Sequence, residues 1–165
     1  MQMERSQWGK LKEPSLLLSN HPPLWEAVPL FKDVARFSKE GNGVMVVMDA
    51  SFLRLANVLF GFEGIPVDVK RNVYKEGDFG VFLRSIVVRT WGEVSGLYGE
   101  ALRGMEVVDQ MREVLESDKS VFVCPAGTGS VDARWRSGVG ILVKEIFEDG
   151  VEEDIGVSLI AVEKG

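Results

Sequence analysis

The sequence predicts an α/β protein: a single domain over residues 1–165, with a central, mostly parallel sheet flanked by helices. Two observations carry this expectation. Short apolar runs alternate with longer stretches of helical periodicity, as in strand–helix units whose strands are covered on both faces. A chain of 165 residues with 45% hydrophobic content also buries roughly two-thirds of its unfolded surface, enough for one core and cramped for two.

In chain order, the first strand is expected at residues 15–18 (SLLL), and the histidine and two prolines that follow begin a turn. Each proline disfavours helical backbone at the residue before it, yet suits a first helical turn, so a helix is expected over 24–37. Residues 44–48 (VMVVM) read as a strand, 51–60 as a helix and 65–68 as a strand. Over 79–91, Phe79, Phe82, Leu83, Ile86 and Val87 recur at i, i+3, i+4, i+7 and i+8, one apolar face of a helix. Such a face ordinarily packs on the core. Arg84 and Arg89, set between its apolar positions, leave open that it lies on a bilayer or roofs an acyl channel. The glycine-dotted stretch 92–104 (GEVSGLYGEALRG) reads as a mobile loop. A helix over 105–116, a strand over 120–124 (SVFVC), a helix over 138–148 and a last strand over 156–162 complete the pattern.

Composition excludes several function classes. With 19 Lys and Arg against 25 Asp and Glu, the net charge is -6. That is the wrong sign for nonspecific nucleic-acid binding, so no nucleic-acid partner is expected. One cysteine, Cys124, allows no intramolecular disulfide, and MQMERSQWGKLKEP has no long apolar core of a signal peptide, so a cytoplasmic chain is expected. No apolar run approaches the roughly 18 residues of a spanning helix, so any membrane contact is expected to be peripheral. GTGS, at 127–130, lacks the lysine and spacing of a nucleotide phosphate loop. One histidine and one cysteine far apart form no recognisable metal-ligand set; carboxylate-only magnesium sites stay open. Cys124 reads as a buried strand residue. The alternative, a nucleophile forming an acyl-cysteine, lacks a second histidine to activate it if His21 is engaged elsewhere.

His21, the only histidine, falls in the turn ahead of the first helix. The partial positive charge of the helix start disfavours imidazolium and keeps the ring neutral, the form that accepts a proton near pH 7. Glu26, five positions on, can be reached by a turn residue folding back, and a carboxylate on one ring nitrogen fixes the tautomer and frees the other nitrogen as a base. From these residues alone, a histidine bonded to a backbone group and a glutamate complementing the helix end account for the pattern as well.

The order of three blocks adds a resemblance. SNHPPLWEA resembles the first signature of the glycerolipid acyltransferases, the family that includes the 1-acylglycerol-3-phosphate acyltransferases, in which Asn-His precedes an aspartate with four residues between. FGFEGIPVDVKR is similar to the block in which a glycine and an apolar strand lead into Pro-Val-Asp and a basic residue. VFVCPAGTGS is similar to the block Phe-Pro-Glu-Gly-Thr-Arg-Ser, and ARWRSGVGILVKEI follows it as a basic stretch and a glycine that opens a helix.

The resemblance implies direct transfer of a fatty acyl group from a thioester donor, acyl-coenzyme A or acyl carrier protein, to the hydroxyl of a lysolipid such as lysophosphatidate. His21 would be the base and Glu26 its orienting carboxylate. Lys70 and Arg71 would receive the acceptor phosphate, and Gly127 and Thr128 would line its glycerol. No bound cofactor is implied beyond the acyl carrier. The departures are Glu26 for aspartate, Ala126 for the glutamate of the third block and Gly129 for its arginine. Arg134 or Arg136 could supply a replacement guanidinium, a donor fork that meets phosphate from several approaches. Residues 72–103 are longer than the family's usual connection and read as an insertion. Loss of the acceptor-holding residues motivates an alternative, a noncatalytic acyl-lipid or acyl-carrier binding module, and a thioester hydrolase is a third reading.

Overall fold

The computed structural model describes residues 11, 14–20, 24–40, 43–68, 79–125, 137–148 and 155–160, the side chains at 24–26, 79–85, 88 and 147 excepted. Among the described residues, five strands form one sheet: β1 (Ser15–Ser19), β2 (Val44–Asp49), β3 (Glu63–Val67), β4 (Ser120–Val123) and β5 (Gly156–Ile160). The helices are α1 (Leu24–Glu40), α2 (Ala50–Phe60), α3 (Phe79–Val94), α4 (Met105–Glu116) and α5 (Ser137–Glu148), with a 3-10 turn at Leu97–Glu100. The α/β class expected from the apolar runs is the class observed, and every strand pair is parallel.

The strand order is β3-β2-β4-β1-β5. The chain steps from β1 through β2 to β3 toward one edge, then from β3 through β4 to β5 toward the other. Because parallel crossovers are right-handed, this reversal puts the helices of the two halves on opposite faces, and the cores record the split. On one face, Leu17, Val44, Val46 and Phe122 pack with Leu30, Val34 and Phe37 of α1 and Ala56 of α2. On the other, Leu16, Leu18, Val121 and Val123 pack with Met111 and Leu115 of α4 and Leu142 and Ile146 of α5. Neighbours such as Leu16 and Leu17 serve opposite cores because successive strand side chains alternate faces. Both are fully buried, which is why β1 reads as an unbroken apolar run. The register Leu16↔Val121 and Leu18↔Val123 fixes β1 against β4, and the Ser120 hydroxyl accepts a 3.0 Å bond from the Ser15 amide at the amino end of the pair.

Local chemistry sets α2. Asp49 caps it, accepting the Ser51 amide at 3.0 Å, and Gly61 ends it at φ +75 with its amide on the Asn57 carbonyl at 2.8 Å, the left-handed stop that glycine takes without strain. Past that turn, Gly64 lets β3 pass under α2. A Cβ there would stand 2.4 Å from both Leu53 Cδ1 and the Val46 carbonyl oxygen.

Three expectations need correction. β3 covers Glu63–Val67, beginning two residues before 65, because its ladder to β2 starts at Met45↔Glu63. The stretch 92–104 is not an open loop: residues 92–94 continue α3, the 3-10 turn follows, and Leu102 bonds the β3 edge at the Pro66 carbonyl and the Asp68 amide. The α3 stripe is not uniformly core-facing either, since Ile86 and Val87 are exposed by 45% and 66%. Of the expected last strand, residues 161–162 lie outside the described residues. The stretch 72–103, read as an insertion, carries α3 and the 3-10 turn, which pack beside α2 and the β3 edge.

Candidate functional site

In an open parallel sheet, ligands bind in the crevice outside the carboxyl ends of strands whose crossovers leave to opposite faces. Here β1 sends its chain into α1 on one face, and its neighbour β4 sends its chain into α5 on the other. These two ends are held together: with Leu18 paired to Val123, the Cys124 sulfur comes to 4.0 Å from the Asn20 carbonyl oxygen. Asn20 directly precedes His21, and Cys124 and Pro125 directly precede the segment that carries Gly127 and Thr128.

The second block, FGFEGIPVDVKR, leaves the same edge from β3. Three strand spacings separate β3 from β1 in the sheet order, roughly 14 Å at about 4.8 Å per strand. His21, Lys70, Arg71, Gly127, Thr128 and Arg134 themselves lie outside the described residues. So does the Glu26 side chain, although its backbone forms part of the first turn of α1.

Cys124 is partly buried, and burial pushes its thiol up to about 12. A neutral thiol at physiological pH is a poor nucleophile, which argues against an acyl-cysteine, but the expected buried strand position is corrected: β4 ends at Val123 and Cys124 stands one residue past it, half-buried.

The described carboxyl edge also holds a polar network that sequence patterns missed. At the end of β2, Asp49 Oδ1 accepts the Tyr98 hydroxyl at 2.7 Å, and the Ser51 hydroxyl lies 2.9 Å from the same phenol oxygen. At the end of β3, the nearly buried Asp68 carboxylate meets two guanidinium groups. Its Oδ1 lies 3.1 Å from Arg89 Nη2 and its Oδ2 lies 2.5 Å from Arg103 Nη2. Arg89 also bonds Glu93 at 3.0 Å and stacks over the Tyr98 ring at 4.8 Å. A helix cap was readable at Asp49, an acid between an apolar run and a helix. Its partner Tyr98, 49 residues away, leaves no local signal. The network fastens α3 and the 3-10 turn onto the sheet edge at the ends of β2 and β3.

An open groove of about 280 Å³ lies between α2, β3 and the 3-10 turn, lined in part by Leu53, Arg54, Pro66 and Glu100. Among the described residues, no cluster of His, Cys, Asp and Glu has the makings of a metal site, and no helix is long and apolar enough to cross a membrane. No family model matches the chain, and no curated protein and no solved structure is significantly similar to it.

Proposed function

We propose that the chain is an acyltransferase that moves a fatty acyl group from acyl-coenzyme A or acyl carrier protein to the hydroxyl of a glycerolipid such as lysophosphatidate. It would act at the cytoplasmic face of a membrane as a peripheral protein. The observation that carries this reading is topological: the three motif blocks follow the carboxyl ends of β1, β3 and β4, and β1 and β4 are neighbours that part to opposite faces.

In this reading the neutral His21 ring takes the proton of the glycerol hydroxyl as its oxygen attacks the thioester carbonyl. The tetrahedral intermediate collapses, the carbon–sulfur bond breaks, and the imidazolium returns the proton to the departing thiolate. The ester and the free thiol are the products, and no acyl-enzyme forms. Glu26 holds the ring in the tautomer that leaves the basic nitrogen free. Lys70, Arg71 and Arg134 neutralise the acceptor phosphate, and the turn at Gly127 and Thr128 shapes the space for its glycerol.

A second reading, a binding module without turnover, is favoured by Ala126 and Gly129, which stand where the resembled block has glutamate and arginine. Incubating the purified chain with acyl-coenzyme A or acyl carrier protein and lysophosphatidate, and following thiol release, separates the two. Thiol release that requires the acceptor supports transfer. Donor binding without release supports the module, and release without an acceptor supports a hydrolase.

A further inference from the structure

We propose that the outer edge of β3 receives an extended peptide segment of a partner protein as an added sheet strand. The proposal goes beyond the acyltransferase reading and does not rest on it. β3 stands last in the strand order, so one side of it faces no strand among the described residues. On that side Leu102 makes a parallel bridge to Val67, its amide donating to the Pro66 carbonyl at 2.9 Å and its carbonyl accepting the Asp68 amide at 3.2 Å. Backbone groups of alternate strand residues face the same neighbour, so the N–H and C=O of Gly64 point to this outer side as well. Neither has a partner among the described residues. Pro66 has no N–H, which suits an edge, and the Phe62 carbonyl is held by the Asn57 side-chain amide. The position of a sixth strand is therefore taken by Leu102 at the carboxyl end and open beside Gly64.

The groove of about 280 Å³ lies along this open stretch, with Gly64 in its wall, Leu53 on the α2 side and Leu97 of the 3-10 turn beside Pro66. From Phe62 to Pro66 the edge runs about 13 Å, room for three or four residues of an added strand. Charge and shape select the occupant. Arg54 and Glu100 both line the groove, both are exposed, and neither is ion-paired among the described residues. The neighbouring acids are engaged: Glu63 lies 3.6 Å from Lys119, Glu93 bonds Arg89, and Asp68 is shared by Arg89 and Arg103. An added strand with an acidic and a basic residue two positions apart, both on the side toward α2, meets Arg54 and Glu100 while its backbone bonds Gly64. A second copy of the chain fits less well. Antiparallel pairing of two β3 edges about a two-fold axis normal to the sheet brings a second α2 onto the same face, and a helix about 10 Å across exceeds the space that the groove leaves.

The probes are two fluorescent pentapeptides, acetyl-Thr-Glu-Val-Lys-Thr-amide and acetyl-Thr-Lys-Val-Glu-Thr-amide, which offer the charge pair in either strand direction. Titrated against the full chain and read by anisotropy, at least one should bind. Arg54→Glu, a change at an exposed position, should keep the parent's thermal midpoint and weaken that peptide by roughly tenfold, and acetyl-Thr-Lys-Val-Lys-Thr-amide should prefer this variant to the parent. The same peptides with N-methylated amides should not bind, because strand addition needs their N–H groups. In protein carrying isotope-labelled glycine, the peptide should slow hydrogen exchange at the Gly64 amide and leave Gly140 on α5 unchanged. The proposal fails if no probe binds at about 1 mM, the weak end of measurable affinity, if the N-methylated peptides bind equally well, or if Gly64 stays unprotected. It fails equally if raising the chain's own concentration protects Gly64 and sedimentation velocity shows a dimer, since the edge would then belong to a second copy.

Discussion

The Tyr98 hydroxyl donates a 2.7 Å hydrogen bond to Asp49, the residue that ends β2 and caps α2. One carboxylate oxygen thus accepts both the Ser51 amide and a phenol from 49 residues away, so the α2 cap also anchors the 3-10 turn. Tyr98→Phe removes only the hydroxyl and should cost about 1–2 kcal/mol in urea unfolding. A variant as stable as the parent would show the contact to be idle.

The same bond has a pH signature. Burial, with Asp49 adding to it, raises the Tyr98 phenol to about 12 from 10. The folded state therefore favours the protonated phenol, so this stabilisation is fully present below pH 10 and is lost as pH rises toward 12. Between pH 10 and 12 the parent should lose more stability than Tyr98→Phe. Parallel pH profiles for the two proteins would contradict the assignment.

Gly92 marks a close approach of helices. A Cβ there would lie 2.0 Å from Ser51 Oγ and 2.7 Å from the Tyr98 ring. Gly92→Ala should destabilise by about 1–3 kcal/mol even though alanine is the better helix former. Ser51→Gly should recover part of that loss in a double-mutant cycle, and strict additivity would show that the clash is relieved elsewhere.

Cys124 should resist alkylation while the chain is folded. With its thiol raised to about 12 by burial, iodoacetamide at pH 8 should label the native protein far more slowly than the urea-unfolded chain, read by mass spectrometry. Equal rates would place the thiol in water and revive the nucleophile reading.

The central strands were legible because burial on both faces leaves an unbroken apolar run, as in SLLL and SVFV, and α4 because Val108, Met111 and Leu115 keep helical spacing on one covered face. The same logic failed on α3. Periodicity reports that Ile86 and Val87 share a stripe, but not whether core or solvent faces it. Glycines misled over 92–104: Gly92 is there to let helices touch, while Gly96 and Gly104 take positive φ at turns between ordered pieces. Contacts such as Tyr98 to Asp49 or Arg103 to Asp68 join distant segments through topology, which local pattern does not encode. As for the candidate site, sequence placed its blocks beyond strand ends, and β1 and β4 proved to be neighbours. That adjacency follows from strand order, which a reading of single elements does not supply.

Comparing His21→Ala with the parent for acyl transfer from acyl-coenzyme A to lysophosphatidate tests the central claim most directly. Loss of a positioned general base should slow transfer by about 10²–10⁴-fold while donor binding and the thermal midpoint stay unchanged. Transfer at the parent's rate without the imidazole, or no transfer by the parent itself with any glycerolipid acceptor, would contradict the account.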